Sequence, residues 1–433
     1  MHNNIAKTKI DENWEHLFQQ YRIVERVKAA GVFHISSAQI NEVHEARLMA
    51  KFDQSIQLPQ IFQDHKLSIL PVAKGEYVIG TFKTHHIIPY PDKIVKPVYV
   101  ATPPLETLDY TNLYSEASAL FFAYNSGIIE NILGSNQVAF TVNGRMSSGR
   151  FSFTIENTVD VEKRMSIGVN NAQIEIDAGY ESPDAFCICE AKNQTVTEML
   201  IRQLYYPYRL WSEKISKPVI PVFFVFSNDI FHVFTYSFQD KQDYNSIELK
   251  NYNTYTFSDD EISLQEVVGL WKRTPIVTEP LITFPQADSF ARVLDLLSVL
   301  YESPLTRNEV TLKYEFDSRQ TNYYISACEY LGFVEKGNTQ DGEREYRLSA
   351  DAHRILSLAY KEKYLALIQR ILEKPVFHQS FEIYLQSCQQ PDKQVICRIM
   401  SGANLKINET TIGRRASTVS GWLDWVLRQT TAD

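Results

Sequence analysis

Residues 186–192 read Phe-Cys-Ile-Cys-Glu-Ala-Lys, four apolar positions closed by a carboxylate and an amine two residues apart. So short an apolar run fits a strand, in which alternate side chains share a face. Ile188, Glu190 and Lys192 then point one way, and Cys187, Cys189 and Ala191 the other. An acid and a base at the end of an apolar strand are costly inside a core unless they pair or work. Just upstream, residues 173–179 read Gln-Ile-Glu-Ile-Asp-Ala-Gly, so Glu175 and Asp177 share a face. The turn-rich stretch Gly179-Tyr-Glu-Ser-Pro-Asp184 folds the two strands into a hairpin, which brings that face beside Glu190. Whatever fold the chain adopts has to house this group of charges.

The surrounding pattern is that of a mixed α/β domain. A helix over residues 112–133 precedes strands at 138–142 and 151–155. The charged hairpin, a helix over 195–211 and strands at 219–226 and 230–236 follow. On the N-terminal side, helical spacing of Trp14, Leu17, Tyr21, Ile23 and Val27 predicts a helix over 12–30, stopped by Gly31. A short helix capped at Ser36-Ser37 and a hairpin split by Lys74-Gly75 complete the helix–helix–hairpin order of a winged helix. Prolines 89, 91, 97, 103 and 104 mark a linker. On the C-terminal side, helices at 289–301, after Thr306 and at 318–331 lead into a polar hairpin about residues 337–342, three helices and a wing. A second helical block runs over 361–427. The expected domains are therefore residues 1–100, 101–284, 285–355 and 356–433.

Composition limits the function classes. With 44% hydrophobic and 22% charged residues the chain is neither disordered nor fibrous. The longest apolar stretch, residues 219–226, is broken by Pro221 and is too short to span a bilayer. Five cysteines lack zinc-ligand spacing, and an odd count without a secretory signal suits free thiols in the cytoplasm. A net charge of −9 argues at first against nucleic acid. That charge is uneven, however: +2 over residues 1–100, −10 over 101–284 and −1 over 285–433. The acidity sits where carboxylates would hold a hard cation, and the near-neutral flanks are left to offer basic faces.

Asp177 followed by Glu190-Ala-Lys192 resembles the motif of PD-(D/E)XK nucleases. The wider context, with Arg202-Gln-Leu-Tyr-Tyr-Pro-Tyr-Arg209 after it, resembles one group of type II restriction endonucleases over residues 110–250. The resemblance implies a restriction-endonuclease-like α/β (α+β) central domain flanked by winged-helix-like domains. It implies Mg2+ on Asp177 and Glu190, and Lys192 acting on the attacking water. It also makes Glu116, on the preceding helix, and Gln203, on the following one, candidates for the same centre. The literal Pro183-Asp184 is not assigned. Six extended residues, about 20 Å at ~3.3 Å each, separate Asp184 from Glu190.

Other residues are read by their surroundings. Glu175 is either an accessory ligand or an exposed strand residue. Tyr205, Tyr206 and Tyr208 are expected to pack in the core, as are Cys187 and Cys189. Seven of the ten histidines fall in residues 1–100 without zinc spacing. DNA contacts are expected from helix starts: Ser37, Gln39 and Arg47 in the first block, Arg319, Gln320 and Asn322 in the third, and Arg414, Arg415 and Thr418 in the last. Taken together, the expectation is a cytoplasmic, Mg2+-dependent type II restriction endonuclease. It would cut double-stranded DNA as a homodimer, leave 5′-phosphate and 3′-hydroxyl ends, and work alongside a cognate DNA methyltransferase encoded nearby. The alternatives are a repair or other defence nuclease of the same fold, and a non-catalytic winged-helix DNA-binding regulator.

Overall fold

The structure, a computed structural model, describes residues 8–91, 95–110, 113, 115–314, 318–403 and 405–431. Thr8 opens α1 (Lys9–Tyr21) with a capping box, its side chain accepting from Asp11 N–H, and Trp14, Leu17 and Phe18 are buried. The single helix expected over residues 12–30 breaks at Arg22, whose φ of +51° ends α1 and starts α2 (Ile23–Ala30). Gly31, at φ +83°, stops it as expected. Then come β1 (Val32–Ser36), α3 (Ser37–Ile40), α4 (Ala46–Met49), α5 (Gln60–Asp64) and the hairpin β2 (Ser68–Ala73) and β3 (Glu76–Gly80). The proline-rich stretch contributes a short strand, β5 (Val98–Tyr99), shortly after β4 (His85–Ile87).

The middle of the chain is a mixed α/β layer structure. The helix expected over residues 112–133 divides at Gly127, φ +84°, into α6 (Glu116–Asn125) and α7 (Ile128–Leu133). Strands β6 (Ala139–Ser147), β7 (Arg150–Glu156), β8 (Arg164–Asn170), β9 (Gln173–Glu181) and β10 (Phe186–Lys192) follow. Next come β11 (Glu198–Leu200), α8 (Arg202–Lys214), β12 (Val219–Ser227), β13 (Ile230–Phe238) and β14 (Ile247–Thr256). A seven-stranded sheet runs in the order β5-β14-β13-β12-β10-β9-β6. In it β10 lies parallel to β12 and antiparallel to β9. Helices α6 and α7 cover one face, with Phe122, Ala123 and Ile128 packed against Cys187, Cys189, Ala191 and Val222. Leu204 of α8 lies on the other, with Phe223, Val225 and Phe234. Residue 195 was the expected start of α8. The chain instead spends Glu198–Leu200 pairing with β4, so the helix starts at Arg202.

Packing does not break near residue 100. Strands β7 and β8 leave the large sheet and join the N-terminal strands in the order β1-β3-β2-β8-β7. Leu70, Val72 and Val78 share a core with Phe153, Ile155, Tyr205 and Tyr206.

The C-terminal part holds β15 (Ile262–Ser263), α9 (Leu264–Arg273), α10 (Phe290–Glu302), β16 (Leu305–Thr306), α11 (Arg307–Lys313) and α12 (Ser318–Tyr330). These lead to β17 (Val334–Asn338), β18 (Arg344–Leu348) and α13 (Ala350–Leu356). Four helices complete it: α14 (Tyr360–Leu372), α15 (Pro375–Ser387), α16 (Lys393–Gly402) and α17 (Glu409–Arg428), with β19 (Thr430–Thr431) at the end. Thr306 caps α11 as expected, in a capping box with Glu309. A small sheet runs β16-β18-β17. The two blocks expected here share one apolar core, which reaches from Ile262 to Val426 across the boundary drawn at residue 355. Among the described residues no helix is long and apolar enough to cross a membrane.

Candidate active site

The register of β9 and β10 places Ala178 opposite Cys189, so the next pair along brings Asp177 beside Glu190. Asp177 Oδ2 accepts a hydrogen bond from Ala191 N–H at 2.8 Å, which ties its carboxylate to the edge of β10. Glu190 and Lys192 are 6% and 7% exposed, deep at the end of the strand. Lys192 Nζ donates to Glu190 Oε1 at 3.1 Å. Its ammonium also lies 3.9 Å from Glu116 Oε1 and 3.7 Å from Asp53 Oδ2. Glu116 stands in the first turn of α6, whose N-cap Ser115 Oγ accepts from Ser118 N–H at 3.1 Å. From the second residue of α8, Gln203 donates through Nε2 to Glu190 Oε1. The Gln203 Oε1 atom is buried without a hydrogen-bond partner. All five residues expected at this centre, Asp177, Glu190, Lys192, Glu116 and Gln203, therefore meet.

Electrostatics makes the cluster costly as it stands. Burial, and then the neighbouring Asp177 carboxylate, push Glu190 up to about 8, against the pull of Lys192. Burial, and then the charge of Glu116, lift Asp177 to about 6. The Lys192 ammonium thus lies among several carboxylates, and a cation bound between Asp177 and Glu190 would relieve their repulsion. Among the described residues no three His, Cys, Asp or Glu side chains stand where together they could hold a metal ion. Asp177 and Glu190 stand side by side as a pair of carboxylates. That suits Mg2+, which takes one or two carboxylates and fills its octahedron with water and phosphate oxygens.

Asp53, at the start of the segment between α4 and α5, was not expected from the sequence. It is 3% exposed and reaches the centre from the N-terminal part of the chain. Nothing in its local spacing marks it; only the docking of that segment brings it in.

The remaining expectations divide. Glu175 is exposed and pairs with Arg145 at 3.4 Å, on an outer strand away from Lys192. Asp184 lies in the turn between β9 and β10, outside the cluster. Cys187 and Cys189 pack in the core under α6, and Tyr205 and Tyr206 are buried with their hydroxyls on Lys241 O and Pro71 O. Tyr208 packs against Phe238. Among the DNA-contact candidates, Arg47 and Arg414 are exposed, as is Asn322. Ser37 and Gln320 are half-buried. Gln39 turns its Oε1 back to Ser36 N–H in a capping box, so that acceptor serves the helix. The side chain of Arg319 lies outside the described residues. Arg415 is half-buried, and burial lowers its guanidinium's tendency to hold its proton. Thr418 is a correction: it is wholly buried and donates to Asp288 Oδ1 at 2.9 Å, because α17 rolls that face onto the segment before α10. It has no surface to offer DNA.

No curated protein and no solved structure matches the chain. Three family models do match it, each described only as a domain of unknown function: DUF6996 over residues 11–79, DUF6997 over residues 80–256 and DUF7226 over residues 292–431. Asp53 falls in the first of these stretches and Asp177, Glu190, Lys192, Glu116 and Gln203 in the second, so the centre is assembled from two separately matched regions.

Proposed function

We propose that the protein is a Mg2+-dependent endonuclease of the PD-(D/E)XK type, a site-specific hydrolase of double-stranded DNA resembling type II restriction enzymes. The observation that supports this reading most is the meeting of Asp177, Glu190 and Lys192 at the ends of two paired strands, with Glu116 and Gln203 on the flanking helices. A surface ion pair at a strand end would not be buried, nor would it draw in an acid and an amide from two helices. Held by the two carboxylates, Mg2+ would supply Lewis acidity toward a phosphoryl oxygen and would make a bound water more acidic. Asp177 and Glu190 are the residues that would hold the cation, whose charge would offset their mutual repulsion. Lys192, whose ammonium lies 3.1 Å from Glu190 Oε1, orients the attacking water and offsets charge building on the phosphate. Gln203 steadies Glu190 through its amide.

The C-terminal order of α10, β16, α11, α12, β17 and β18 supports the winged-helix reading of that block. Exposed Asn322 in that block, and exposed Arg414 on α17, are candidate contacts to phosphate and base. A homodimer and a cognate methyltransferase follow from the restriction-enzyme reading and belong to the same proposal.

The test is a digest of a defined plasmid with Mg2+, with fragment ends sequenced. Discrete fragments with 5′-phosphate ends are expected. Lys192→Ala should slow cleavage by about 100-fold or more. Equal cleavage by that variant overturns the role given to Lys192, and no cleavage by the wild type overturns the reading in favour of a non-catalytic DNA-binding regulator.

A further inference from the structure

The segment from Lys51 to Gln57 is docked onto the nuclease-like centre at three points. His85 Nε2, at the start of β4, meets Phe52 O at 3.1 Å. Glu198 of β11 accepts from Ser55 N–H. Between these anchors Asp53 enters the centre and stands 3.7 Å from Lys192 Nζ. Its carboxylate is buried, whereas its second cationic neighbour, Lys51 at 3.6 Å, is 70% exposed. Placing a carboxylate there costs desolvation and adds repulsion to Glu190, which already faces Asp177. A contact that served only to join two domains would not need a buried acid at this spot.

Lys192 is held by three carboxylates from three places: Glu190 on its own strand, Glu116 on α6 and Asp53 from the N-terminal region. A cation on Glu190 would compete with the ammonium for that carboxylate. Glu116 is 43% exposed in its side chain and at 3.9 Å is the looser partner. Asp53, 4% exposed in its side chain, is the partner that neither metal nor solvent draws away. Resting on the nuclease reading of this centre, we propose that Asp53 is a positioning residue that holds the Lys192 ammonium in place for the reaction. The N-terminal region then completes the active site and is not merely a tethered DNA-binding module.

The test uses the full-length chain, Mg2+ and a plasmid duplex, with wild type, Asp53→Asn, Asp53→Glu, Lys192→Ala and the double variant Asp53→Asn/Lys192→Ala. At saturating DNA, Asp53→Asn should lower the single-turnover rate by about tenfold or more, with half-saturating DNA concentration within about twofold of wild type. Asp53→Glu should recover part of that rate, which also covers the case in which the asparagine variant fails to fold. The double variant should be no slower than Lys192→Ala, since Asp53 acts through the lysine. A rate equal to or above wild type in Asp53→Asn, or additive losses in the double variant, overturns the proposal. Thermal unfolding of the same proteins separates the two readings. A wild type that cuts no DNA, yet whose Asp53 and Lys192 variants shift the melting temperature non-additively, sinks the nuclease reading and leaves the Asp53–Lys192 assembly standing. Additive shifts sink the assembly itself.

Discussion

Glu190 concentrates the physics of the molecule at the scale of one residue. It is buried, it accepts from Lys192 and Gln203, and it is pushed up to about 8 by burial and by Asp177. Such a group is an expense in any protein whose only task is to stay folded, and perturbed carboxylates of this kind gather at functional sites. If the expense is met by a divalent cation, the cation must stabilise the folded state, because the unfolded chain has no such pair. Mg2+ at millimolar concentration should raise the wild-type melting temperature by about 2–4 °C. It should leave Asp177→Asn and Glu190→Gln where they are. Differential scanning fluorimetry checks this without any appeal to cleavage, and an equal shift in all three proteins would place the metal elsewhere.

Between elements, the strand that ends in Lys192 is gripped at its exit. The loop after β10 gives Thr195 N–H to Asp295 Oδ2 at 2.7 Å, and Ser227, at the end of β12, gives its hydroxyl to Asp295 Oδ1 at 2.7 Å. Asp295 belongs to α10, so the C-terminal part holds the end of the catalytic-strand candidate directly. Burial lifts the Asp295 carboxyl to about 6, opposed by the hydrogen bonds from Thr195 and Ser227. The sign of the pH effect follows. A raised folded-state value means that folded protein keeps a proton the unfolded chain has already lost. The stability this contributes is complete below about pH 4 and disappears as pH rises through 6. Asp295→Asn keeps the shape and has no proton to lose. Between pH 4 and pH 7 the wild type should therefore lose about 2 kcal/mol more stability than the variant, read from urea unfolding midpoints. Parallel curves would show that this carboxyl does not titrate in that range.

Across the whole molecule, the boundaries that look natural along the chain are not boundaries in space. The β2 strand pairs with β8, and Leu70, Val72 and Val78 pack with Phe153, Tyr205 and Tyr206 from the middle of the chain. Deleting residues 1–79 would strip a strand from β8 and open that core to water. The remaining 80–433 fragment should lose monodispersity on size-exclusion chromatography and its cooperative melt, whereas an independently folded appendage could be removed without either change. Recovery of a well-folded, monodisperse fragment would contradict this.

Local pattern carried much of this architecture. The alternation in residues 173–179 and 186–192 set which side chains share a face. Thr306 and Gly31 marked helix ends, and Lys74-Gly75 the turn between β2 and β3. Glu116 and Gln203 became candidates only through the resemblance to PD-(D/E)XK nucleases. The alternation and the helix and turn signals are short-range rules, set by backbone geometry and by the period of the side chains. Several strands escaped them, β8 and β14 the longest. β8 alternates Met165, Ile167 and Val169 inward but carries Gly168 among polar neighbours, and β14 is largely polar, so its strand form depends on pairing with β13. Tertiary structure alone decided that Thr418 is buried against Asp288, that the C-terminal blocks share one core, and that Asp53 sits beside Lys192. Each of these joins residues far apart in sequence, 139 positions in the case of Asp53 and Lys192. A contact at that separation leaves no periodicity in the chain on either side of it. It exists only because docking the N-terminal segment satisfies His85, Glu198 and Lys192 together.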